Sequence, residues 1–332
     1  MDEALKARIE ILEELDKNEG AWVSGADLAH RLGRSRTAIS NHVSELRSLG
    51  YDIESQSSKG YRLEFIPDTI HPVEIWRCLG EDDGRPEFPA EIHYFEETDS
   101  TSTQAAKMAE AGAPHGTLVI AETQTAGRGR LGRTWVSKPG EGLYFSIILR
   151  PELEIHRIPQ LTLLAAVVLA RTFEEVCGVR PQIKWPNDIL IHEKKCCGIL
   201  TEMAGDADRA RWVILGIGIN VSGTEFPPEI AEIATSLKLS LPEPPPHRAV
   251  LLAHLIDELE RALIDYEAQG LEWVRKGWEE YAGIRGKRVR VSAPGGEKRE
   301  GIARGLDKDG ALLLETDSGQ TERIIAGDVT LL

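Results

Sequence analysis

The sequence has few cysteines and lacks the features that define several protein classes. Four cysteines occur among 332 residues, and none belongs to a Cys-x-x-Cys pair. The sequence therefore predicts neither a disulfide framework nor a zinc site. No apolar run is long enough to span a bilayer, and no apolar leader follows Met1. We therefore expect a cytoplasmic protein with no membrane partner.

Basic residues are outnumbered by acidic residues. Lys and Arg number 39 against 54 Asp and Glu, which gives a net charge of -15. Any contact with nucleic acid must therefore come from a local basic patch. The length and a hydrophobic content of 41% predict two or three domains with ordinary cores. Composition places these domains at residues 1–66, 91–280 and 281–332, with a proline-rich linker at 67–90.

The first 66 residues predict helices followed by a hairpin. Apolar residues at three- and four-residue spacing predict a helix over residues 3–15, and Ser24 and Ser35 stand where N-caps of two further helices are expected. Residues 51–55 and 60–63 predict two strands. This order resembles a winged helix-turn-helix DNA-binding domain. Residues 24–63 carry only a small basic excess, six Lys and Arg against four Asp and Glu, which leaves a helical protein-interaction module as the alternative. The residues predicted to contact DNA are Ser35, Arg36, Thr37, Ser40 and Asn41.

The central domain is organised around residues 123–135, the glycine–arginine loop. Its glycines permit positive φ, and its arginines are permanent cations, so the loop can wrap an anion. Apolar runs at 116–121 and 142–149 predict flanking buried strands. We expect the loop to be mobile until a ligand binds; a surface loop or an RNA-binding tail is the alternative. The loop contains Gly127, Arg128, Gly129, Arg130, Gly132 and Arg133.

Other stretches of the central domain also predict a site. Hydroxyl side chains at residues 100–102 stand at a strand-to-helix junction, where they can bind a polar head group or only cap the helix. Residues 183–190 begin and end like a strand, but Pro186 removes a ladder hydrogen bond. A stretch that breaks its own local rules marks a candidate site. Glycines within residues 212–221 allow a ligand or another backbone to approach, or only close packing.

The last part of the chain changes character. A helix over residues 159–176 and a long amphipathic helix over residues 248–269 precede it. From about residue 286, short strands alternate with glycine-containing turns. This spacing predicts a small β-barrel.

Several motifs follow one another along the chain: Gly127–Arg133 with Trp135, Lys-Trp-Pro-Asn-Asp at 184–188, Lys195 with Gly-Ile-Leu at 198–200, Gly-Ile-Gly-Ile-Asn at 216–220, and residues 305–314. In this order they resemble the biotin protein ligase family, specifically its bifunctional members that also repress biotin genes. The resemblance covers essentially the whole chain. It implies a multidomain α/β (α+β) fold with an N-terminal winged helix-turn-helix, a central mixed-sheet catalytic domain of the class II synthetase type, and a C-terminal SH3-like β-barrel.

The resemblance also implies an activity, a biotin–[acetyl-CoA-carboxylase] ligase that uses ATP. Such a ligase joins biotin to ATP with Mg²⁺, giving biotinyl-5′-AMP and pyrophosphate, and transfers biotin to a lysine of a biotin carboxyl carrier domain. A carboxylate that attacks a phosphate brings two anionic groups together, so the site needs fixed cations and a dry pocket. Bound adenylate is further implied to promote a homodimer through the central domain. The two recognition helices of the dimer would then match a palindromic operator DNA.

The residues that match the family's motifs have implied roles. Catalytic roles fall to Lys195, Arg128 and Arg130. Biotin binding falls to Ser100, Thr101, Ser102, Gln124, Arg128, Gly129, Arg130 and Lys195. Binding of ATP and the adenylate falls to Arg130, Arg133, Trp135, Asn187, Asp188 and Asn220. No protein-held metal is expected, and Mg²⁺ would arrive with ATP near Asp188. The family commonly has Ser-Thr-Asn where this chain has Ser100-Thr-Ser102; since Ser102 can donate and accept, we expect biotin specificity to survive.

Two other functions are alternatives. A lipoate or octanoyl ligase of related fold usually carries Arg-Arg-x-Ser-Gly-Gly-Gly, which this sequence lacks, and a pocket for a longer apolar chain. A transcription factor whose large domain only senses a ligand is the second alternative. Arg128, Arg130 and Lys195 argue against it, because a sensor of a neutral or singly charged ligand does not need so many phosphate-facing cations.

Overall fold

The computed structural model describes residues 2–80, 88–206, 208–293 and 295–332. The chain divides into two compact units, of which the first contains Met1–Arg85 and His247–Ala253 and the second contains Pro86–Pro246 and His254–Leu332. The domain boundaries predicted at residues 66, 90 and 280 stay predictions. Residues 81–87 of the predicted linker lie outside the described residues.

The first unit has the predicted order of helices and hairpin. Its elements are α1 (Glu3–Asp16), α2 (Gly25–Arg31), α3 (Arg36–Ser48), β1 (Asp52–Gln56), β2 (Gly60–Phe65) and α4 (Pro72–Leu79). The Ser24 hydroxyl accepts from the amides of Ala26 and Asp27, and the Ser35 hydroxyl accepts from the amide of Ala38. Both predicted N-caps are confirmed. Strands β1 and β2 pair antiparallel as the predicted wing.

Helix α4 is a packed part of the first unit, although its sequence lies in the predicted linker. Val73 belongs to the same apolar core as the first three helices. Glu74 is only 1% exposed, and its carboxylate accepts from the Tyr51 hydroxyl at 2.7 Å and pairs with Arg77 at 2.6 Å. Burial, together with the Glu74 carboxylate, raises the pKa of Tyr51. These buried contacts anchor α4.

His71 makes the stability of the first unit depend on pH. As N-cap of α4, its Nδ1 accepts from the Val73 amide at 3.3 Å, which requires an unprotonated nitrogen. Burial, assisted by the charge of Arg8, lowers the pKa of His71. The unfolded chain therefore takes up this proton first, and stability is lost as pH falls below about 6.5. We expect thermal unfolding to show a falling Tm there and His71→Asn, which keeps a capping acceptor, to flatten part of the fall. An unchanged slope in the variant would contradict this role.

The second unit is built on a seven-stranded sheet with the order β3-β4-β5-β9-β8-β7-β6. Its strands are β3 (Ile92–Thr98), β4 (Thr117–Gln124), β5 (Gly142–Leu149), β6 (Gln182–Lys184), β7 (Asp188–Ile191), β8 (Lys194–Gly205) and β9 (Ala210–Asn220). The β3 and β4 pair is parallel, and the other neighbours are antiparallel. The predicted mixed sheet is confirmed.

Helices cover this sheet and connect it to the last strands. They are α5 (Thr101–Glu110), α6 (Ile158–Cys177), α7 (Leu237–Ser240), α8 (Arg248–Gln269) and α9 (Leu271–Tyr281). Leu161, Leu164, Ala165 and Val168 of α6 are buried. Helix α5 begins at Thr101, so Ser100 is its N-cap and Thr101 and Ser102 lie in its first turn. Helix α9 was not predicted.

Residues 183–190 begin and end in strand, as predicted, but the two ends belong to different strands. The chain reverses there, and β6 and β7 pair antiparallel with Lys184 opposite Asp188. The physical reason is Pro186, which has no amide to donate to a ladder and stands in the turn. The Trp185–Pro186 peptide bond is cis. The reversal places Asp188 on a strand that pairs with β8.

The end of the chain forms a five-stranded sheet with the order β13-β12-β11-β10-β14. Its strands are β10 (Arg288–Ser292), β11 (Lys298–Leu306), β12 (Leu312–Glu315), β13 (Thr321–Ile324) and β14 (Asp328–Leu331). All neighbouring pairs are antiparallel. The predicted C-terminal domain of short strands is confirmed, while β14 was not predicted.

The cysteines behave as ordinary residues. All four carry free thiols, and Cys196 and Cys197 are fully buried. Burial raises the pKa of both thiols, so these two cysteines are core residues, as predicted. Across the described part of the chain, no helix combines the length and the apolar character needed to cross a bilayer.

Candidate functional site

One pocket of the second unit gathers most of the predicted site residues. We name it the inner pocket. Strands β4, β5, β8 and β9, the start of α5 and the glycine–arginine loop all contribute to its lining. The predicted residues that line it are Ser100, Thr101, Ser102, Gln124, Arg128, Gly129, Arg130, Trp135, Asn187 and Lys195.

Polar side chains at the start of α5 form a hydrogen-bonded cluster. The Thr101 amide donates to Oε1 of Gln124 at 2.9 Å. The Thr101 and Ser102 hydroxyls lie 2.9 Å and 3.1 Å from the hydroxyl of Ser146. Ser146 was not predicted from the sequence, although a serine within the apolar run of β5 indicates a buried polar group. Gln124 also donates to Ser137 at 2.8 Å, so the cluster is held from two sides.

Within this cluster, Ser100 has a hydroxyl group that is available to a ligand. It occupies the N-cap position of α5, yet its side chain makes no cap hydrogen bond. Ser100 is 1% exposed, and its hydroxyl has no hydrogen-bond partner among the described residues. A buried hydroxyl without a partner is costly, and a polar ligand in the pocket removes that cost.

Trp135 lies flat against glycines of the neighbouring strands. A Cβ added to Gly218 would come within 2.5 Å of the indole, and one added to Gly198 within 2.9 Å. The Nζ of Lys195 lies 5.4 Å from the indole ring centroid, within cation–π range. In β9, Gly218 thus leaves room for the Trp135 ring. Gly216 leaves room for the Ser102 hydroxyl, which would lie 2.6 Å from an added Cβ.

Alanine at Gly218 and alanine at Gly216 are expected to weaken the binding of different substrates. The family resemblance implies adenine binding for Trp135 and biotin binding for Ser102. Under these roles Gly218→Ala displaces the Trp135 ring, and since losing a base-stacking face costs about 1–3 kcal/mol, the KM for ATP should rise about 10-fold or more. Gly216→Ala instead pushes against Ser102 and should raise the KM for biotin. Initial rates with each substrate varied separately measure both constants. Equal effects of the two variants on both constants would contradict this division.

Lys195 is positioned by its backbone and by a carboxylate. Its amide donates to the Ile233 carbonyl at 2.7 Å, and its carbonyl accepts from the Thr235 amide at 2.9 Å. Its Nζ lies 2.7 Å from Oδ1 of Asp188, and the side chain is one-third exposed. The cation is therefore held at the pocket and accessible to an anionic ligand.

Carboxylates hold the arginines of the glycine–arginine loop. Arg128 pairs with Glu202. Arg130 donates to Oδ1 of Asn187 at 3.0 Å and lies 3.5 Å from Asp328, which also pairs with Arg133. Sequence reasoning missed Glu202 and Asp328, because no local pattern distinguishes them from surface carboxylates. These pairs fasten the loop over the pocket.

Three predicted residues do not line the inner pocket. Arg133 pairs with Asp328, and Asp188 adjoins the pocket through its ion pair with Lys195 and its strand pairing with Gly198. Asn220 donates to the Thr235 carbonyl at 2.9 Å, which holds the segment that also binds the Lys195 backbone. Among the described residues, no group of three or more His, Cys, Asp and Glu side chains is arranged to hold a metal ion.

The inner pocket is small, with a volume of 50 Å³. Movement of the covering side chains enlarges the space that is available to a ligand. The exposed ion pair of Arg128 and the exposed Arg133 lie on the most accessible part of this cover, so the glycine–arginine loop is the element with the least to lose by opening.

A second candidate surface lies in the first unit. The residues predicted to contact DNA are all exposed, and they cluster at the start of α3: Ser35, Arg36, Thr37, Ser40 and Asn41. Their neighbours Ile39 and Val43 are buried. The helix therefore presents a polar face with an exposed N-terminal turn, the part of a recognition helix that contacts DNA in helix-turn-helix proteins.

Sequence profiles of known families match three parts of the chain. The Biotin/lipoate A/B protein ligase family matches residues 94–220. A helix-turn-helix (HTH) domain matches residues 8–62, and the biotin protein ligase C terminal domain matches residues 285–332. The three matches have the order inferred from the sequence.

Whole proteins are similar as well. The Bifunctional ligase/repressor BirA of Bacillus subtilis is 40% identical over 98% of both chains, and that of Escherichia coli is 33% identical over 94% of both. The structure of the biotin protein ligase of Aquifex aeolicus in complex with biotin and ATP has a TM-score of 0.63 and 31% identity, over 73% of this chain and 98% of that one. With this fold, this pocket and these relatives, the chain belongs to the biotin protein ligase family and to its bifunctional ligase/repressor members.

Proposed function

We propose that the protein activates biotin with ATP and transfers it to a lysine of a biotin carboxyl carrier domain. The observation that carries the proposal is the composition of the inner pocket, where a hydroxyl and amide cluster meets the cations Lys195, Arg128 and Arg130. A ligand that suits such a pocket is polar and neutral in one part and anionic in another. Biotin, with its ureido ring and carboxylate, has this character.

The cations serve the first chemical step. A carboxylate oxygen of biotin attacks the α-phosphorus of ATP, a P–O bond forms, and pyrophosphate leaves. Both partners are anionic, so their approach is opposed unless fixed positive charge offsets it. Lys195 and the arginines of the loop supply that charge without becoming covalently attached to substrate. Closure of the loop also keeps water from the mixed anhydride.

The hydroxyl cluster serves recognition of biotin. A ureido ring has one carbonyl acceptor and two N–H donors, and the groups of Ser100, Thr101, Ser102 and Gln124 can both donate and accept. Ser100 is the strongest candidate for binding the ureido ring, because its buried hydroxyl has no hydrogen-bond partner among the described residues. Ser102 stands where the family commonly has asparagine, and its bond to Ser146 keeps a hydroxyl oriented in the pocket.

The nucleotide is proposed to lie beside Trp135, whose indole offers a face to adenine. Asn187 lines the pocket and orients ligand groups. Arg133 and Asp188 reach the nucleotide when their pairs with Asp328 and Lys195 open, while Asn220 supports the segment behind Lys195. Mg²⁺ is proposed to arrive with ATP and to have Asp188 as its nearest candidate carboxylate.

The repressor function is proposed to use the same adenylate. Binding of biotinyl-5′-AMP would promote a homodimer, and two copies of α3 would then meet two half-sites of an operator. Doubling the contact surface compensates for the small basic excess of residues 24–63, because phosphate contacts dominate affinity for DNA.

Labelling of a carrier domain tests the ligase proposal. Protein mixed with ATP, Mg²⁺, biotin and a biotin carboxyl carrier domain is expected to give a carrier that streptavidin detects. A carrier with its acceptor lysine replaced by arginine should stay unlabelled, and lipoate should not replace biotin. Modification with lipoate alone would favour a lipoate ligase. Absence of labelling, together with DNA binding that responds to biotin, would favour a ligand-sensing regulator.

A further inference from the structure

A second cavity of the second unit adjoins the inner pocket. Its volume is 470 Å³, and we name it the outer cavity. Arg130, Asn187 and Ile199 line both spaces, so only these side chains separate them. On its far side the outer cavity is bounded by the C-terminal sheet, through Gly310 and Ile325. A molecule in the outer cavity would therefore approach the inner pocket at Arg130 and Asn187.

The charges around the outer cavity are already neutralised. Arg323 pairs with Asp307 and, at 2.7 Å, with Asp309. Arg130, which also lines the outer cavity, lies 3.5 Å from Asp328. Asp309 is itself part of the lining. A triphosphate or pyrophosphate requires an excess of positive charge, and this cavity does not offer one.

Apolar side chains make up much of the wall. Trp185 is 3% exposed and Leu163 is 3% exposed, and Ile199 is 2% exposed. Ile325 stands at the lining with 76% of its surface exposed, which places an apolar side chain where the cavity meets solvent. Such walls accept an alkyl chain and disfavour charge.

A polar element also lies in this wall. The hydroxyl oxygens of Thr162 on α6 and Thr201 on β8 are 2.7 Å apart. One hydroxyl donates to the other, so lone pairs remain that can accept from an amine. Alkyl walls with hydroxyl acceptors match the side chain of lysine in its neutral form. An apolar environment lowers the pKa of an amine, and only the neutral amine is a nucleophile.

We propose that the outer cavity is the channel by which the acceptor lysine of a carrier protein reaches the bound adenylate. This inference rests on the proposed ligase function. In the step it serves, the lysine nitrogen attacks the acyl carbon of the adenylate and forms an amide. The bond from the acyl carbon to the phosphate oxygen breaks, AMP leaves, and the amine releases a proton.

A substitution that fills the channel with a bulky side chain tests the proposal. Thr162→Phe places a ring in the outer cavity, and Thr162→Val is the matched control that removes only the hydroxyl. With Thr162→Phe, pyrophosphate release with ATP and biotin should stay close to that of the wild type. Transfer from preformed biotinyl-5′-AMP to the carrier domain should fall about 100-fold, since misplacing a reacting group by about 1 Å costs that much. Reaction of the adenylate with butylamine should slow in parallel.

Other results would overturn the proposal. Slower pyrophosphate release with unchanged transfer would make the outer cavity a nucleotide site, and unchanged rates in all assays would exclude a channel. Should Thr162→Phe lose all activities, Ile325→Trp decides, because this exposed position narrows the opening without disturbing a core. If the wild type releases no pyrophosphate with biotin, the ligase proposal itself fails, whereas a wild type that labels the carrier beside variants that do so equally well rejects only the channel.

Discussion

Lys195→Ala is expected to lower biotin-dependent pyrophosphate release by about 100- to 1,000-fold, the usual loss when one charge-stabilising group is removed from an active site. The Nζ of Lys195 is fixed 2.7 Å from Asp188 and 5.4 Å from the Trp135 ring centroid. Among the residues that the structure describes, no other lysine lines the inner pocket, so no second lysine can replace this charge. The variant also leaves Asp188 without its cation, which adds unbalanced negative charge beside two anionic substrates.

The neighbouring lysine supplies the matched control for this prediction. Lys194 is exposed on the preceding position of β8, and Lys194→Ala removes the same charge without touching the pocket. Its rate should stay within about 2-fold of the wild type, as expected for a screened surface charge. Thermal unfolding of both variants separates a lost charge from a damaged fold. Equal rates for Lys195→Ala and Lys194→Ala would refute the role of Lys195.

Removing two polar side chains from α3 should abolish specific DNA binding and spare the ligase. The double variant Arg36→Ala with Asn41→Ala is expected to weaken adenylate-dependent operator binding by about 100-fold or more, since each base-edge contact is worth about 1–3 kcal/mol. Biotin labelling of the carrier should be unchanged, because every residue of the inner pocket belongs to the second unit. Fluorescence anisotropy with promoter DNA of the biotin genes measures the binding.

A lysine elsewhere in the first unit is the control for charge alone. Lys17 follows α1 and is 67% exposed, with Glu13 as its ion-pair partner at 3.9 Å. Lys17→Ala should leave operator affinity nearly unchanged. If Arg36 contacts a phosphate, the double variant should also reduce the slope of log affinity against log salt by about one per half-site. Full operator binding by the double variant would show that α3 does not read DNA.

Local chemistry made much of this protein predictable. Ser24 and Ser35 cap helices because their hydroxyls accept amides that a helix start leaves free. The alternation of glycine and arginine identified a loop that covers a pocket, since few other environments need both positive φ and several permanent cations. In each case the relevant partners are close in sequence, so the pattern and the contact coincide.

Contacts between distant residues were beyond the reach of the sequence. Glu202 and Asp328, which hold the loop arginines, lie 74 and 195 residues from Arg128 and Arg133. The residues around Glu202 and Asp328 give no sign that these carboxylates pair with the loop arginines and are not simply solvated. The contact of Asn220 is also long-range: its motif places it at the end of β9, and its amide donates to the Thr235 carbonyl, a contact that depends on how a later segment folds back.

The ion pairs of the glycine–arginine loop link movement of the loop to the binding of an anionic substrate. In this structure the anionic partners of the loop arginines are the protein's own carboxylates, and the inner pocket holds only 50 Å³. A substrate that brings a carboxylate and phosphates competes with Glu202 and Asp328 for the same cations. Opening of the loop and recognition of the anionic substrate are therefore one exchange of ion-pair partners, in which the arginines leave the protein's own carboxylates for the anionic groups of the ligand.

Pyrophosphate release in the absence of a carrier protein tests the central claim most directly. The protein is mixed with ATP and Mg²⁺ and with either biotin or lipoate, and free pyrophosphate is measured by a coupled enzyme assay. The account predicts release with biotin, little release with lipoate, and loss of the biotin signal in Lys195→Ala. Release with neither acid, from protein that is folded by circular dichroism, would contradict an adenylating site in the inner pocket.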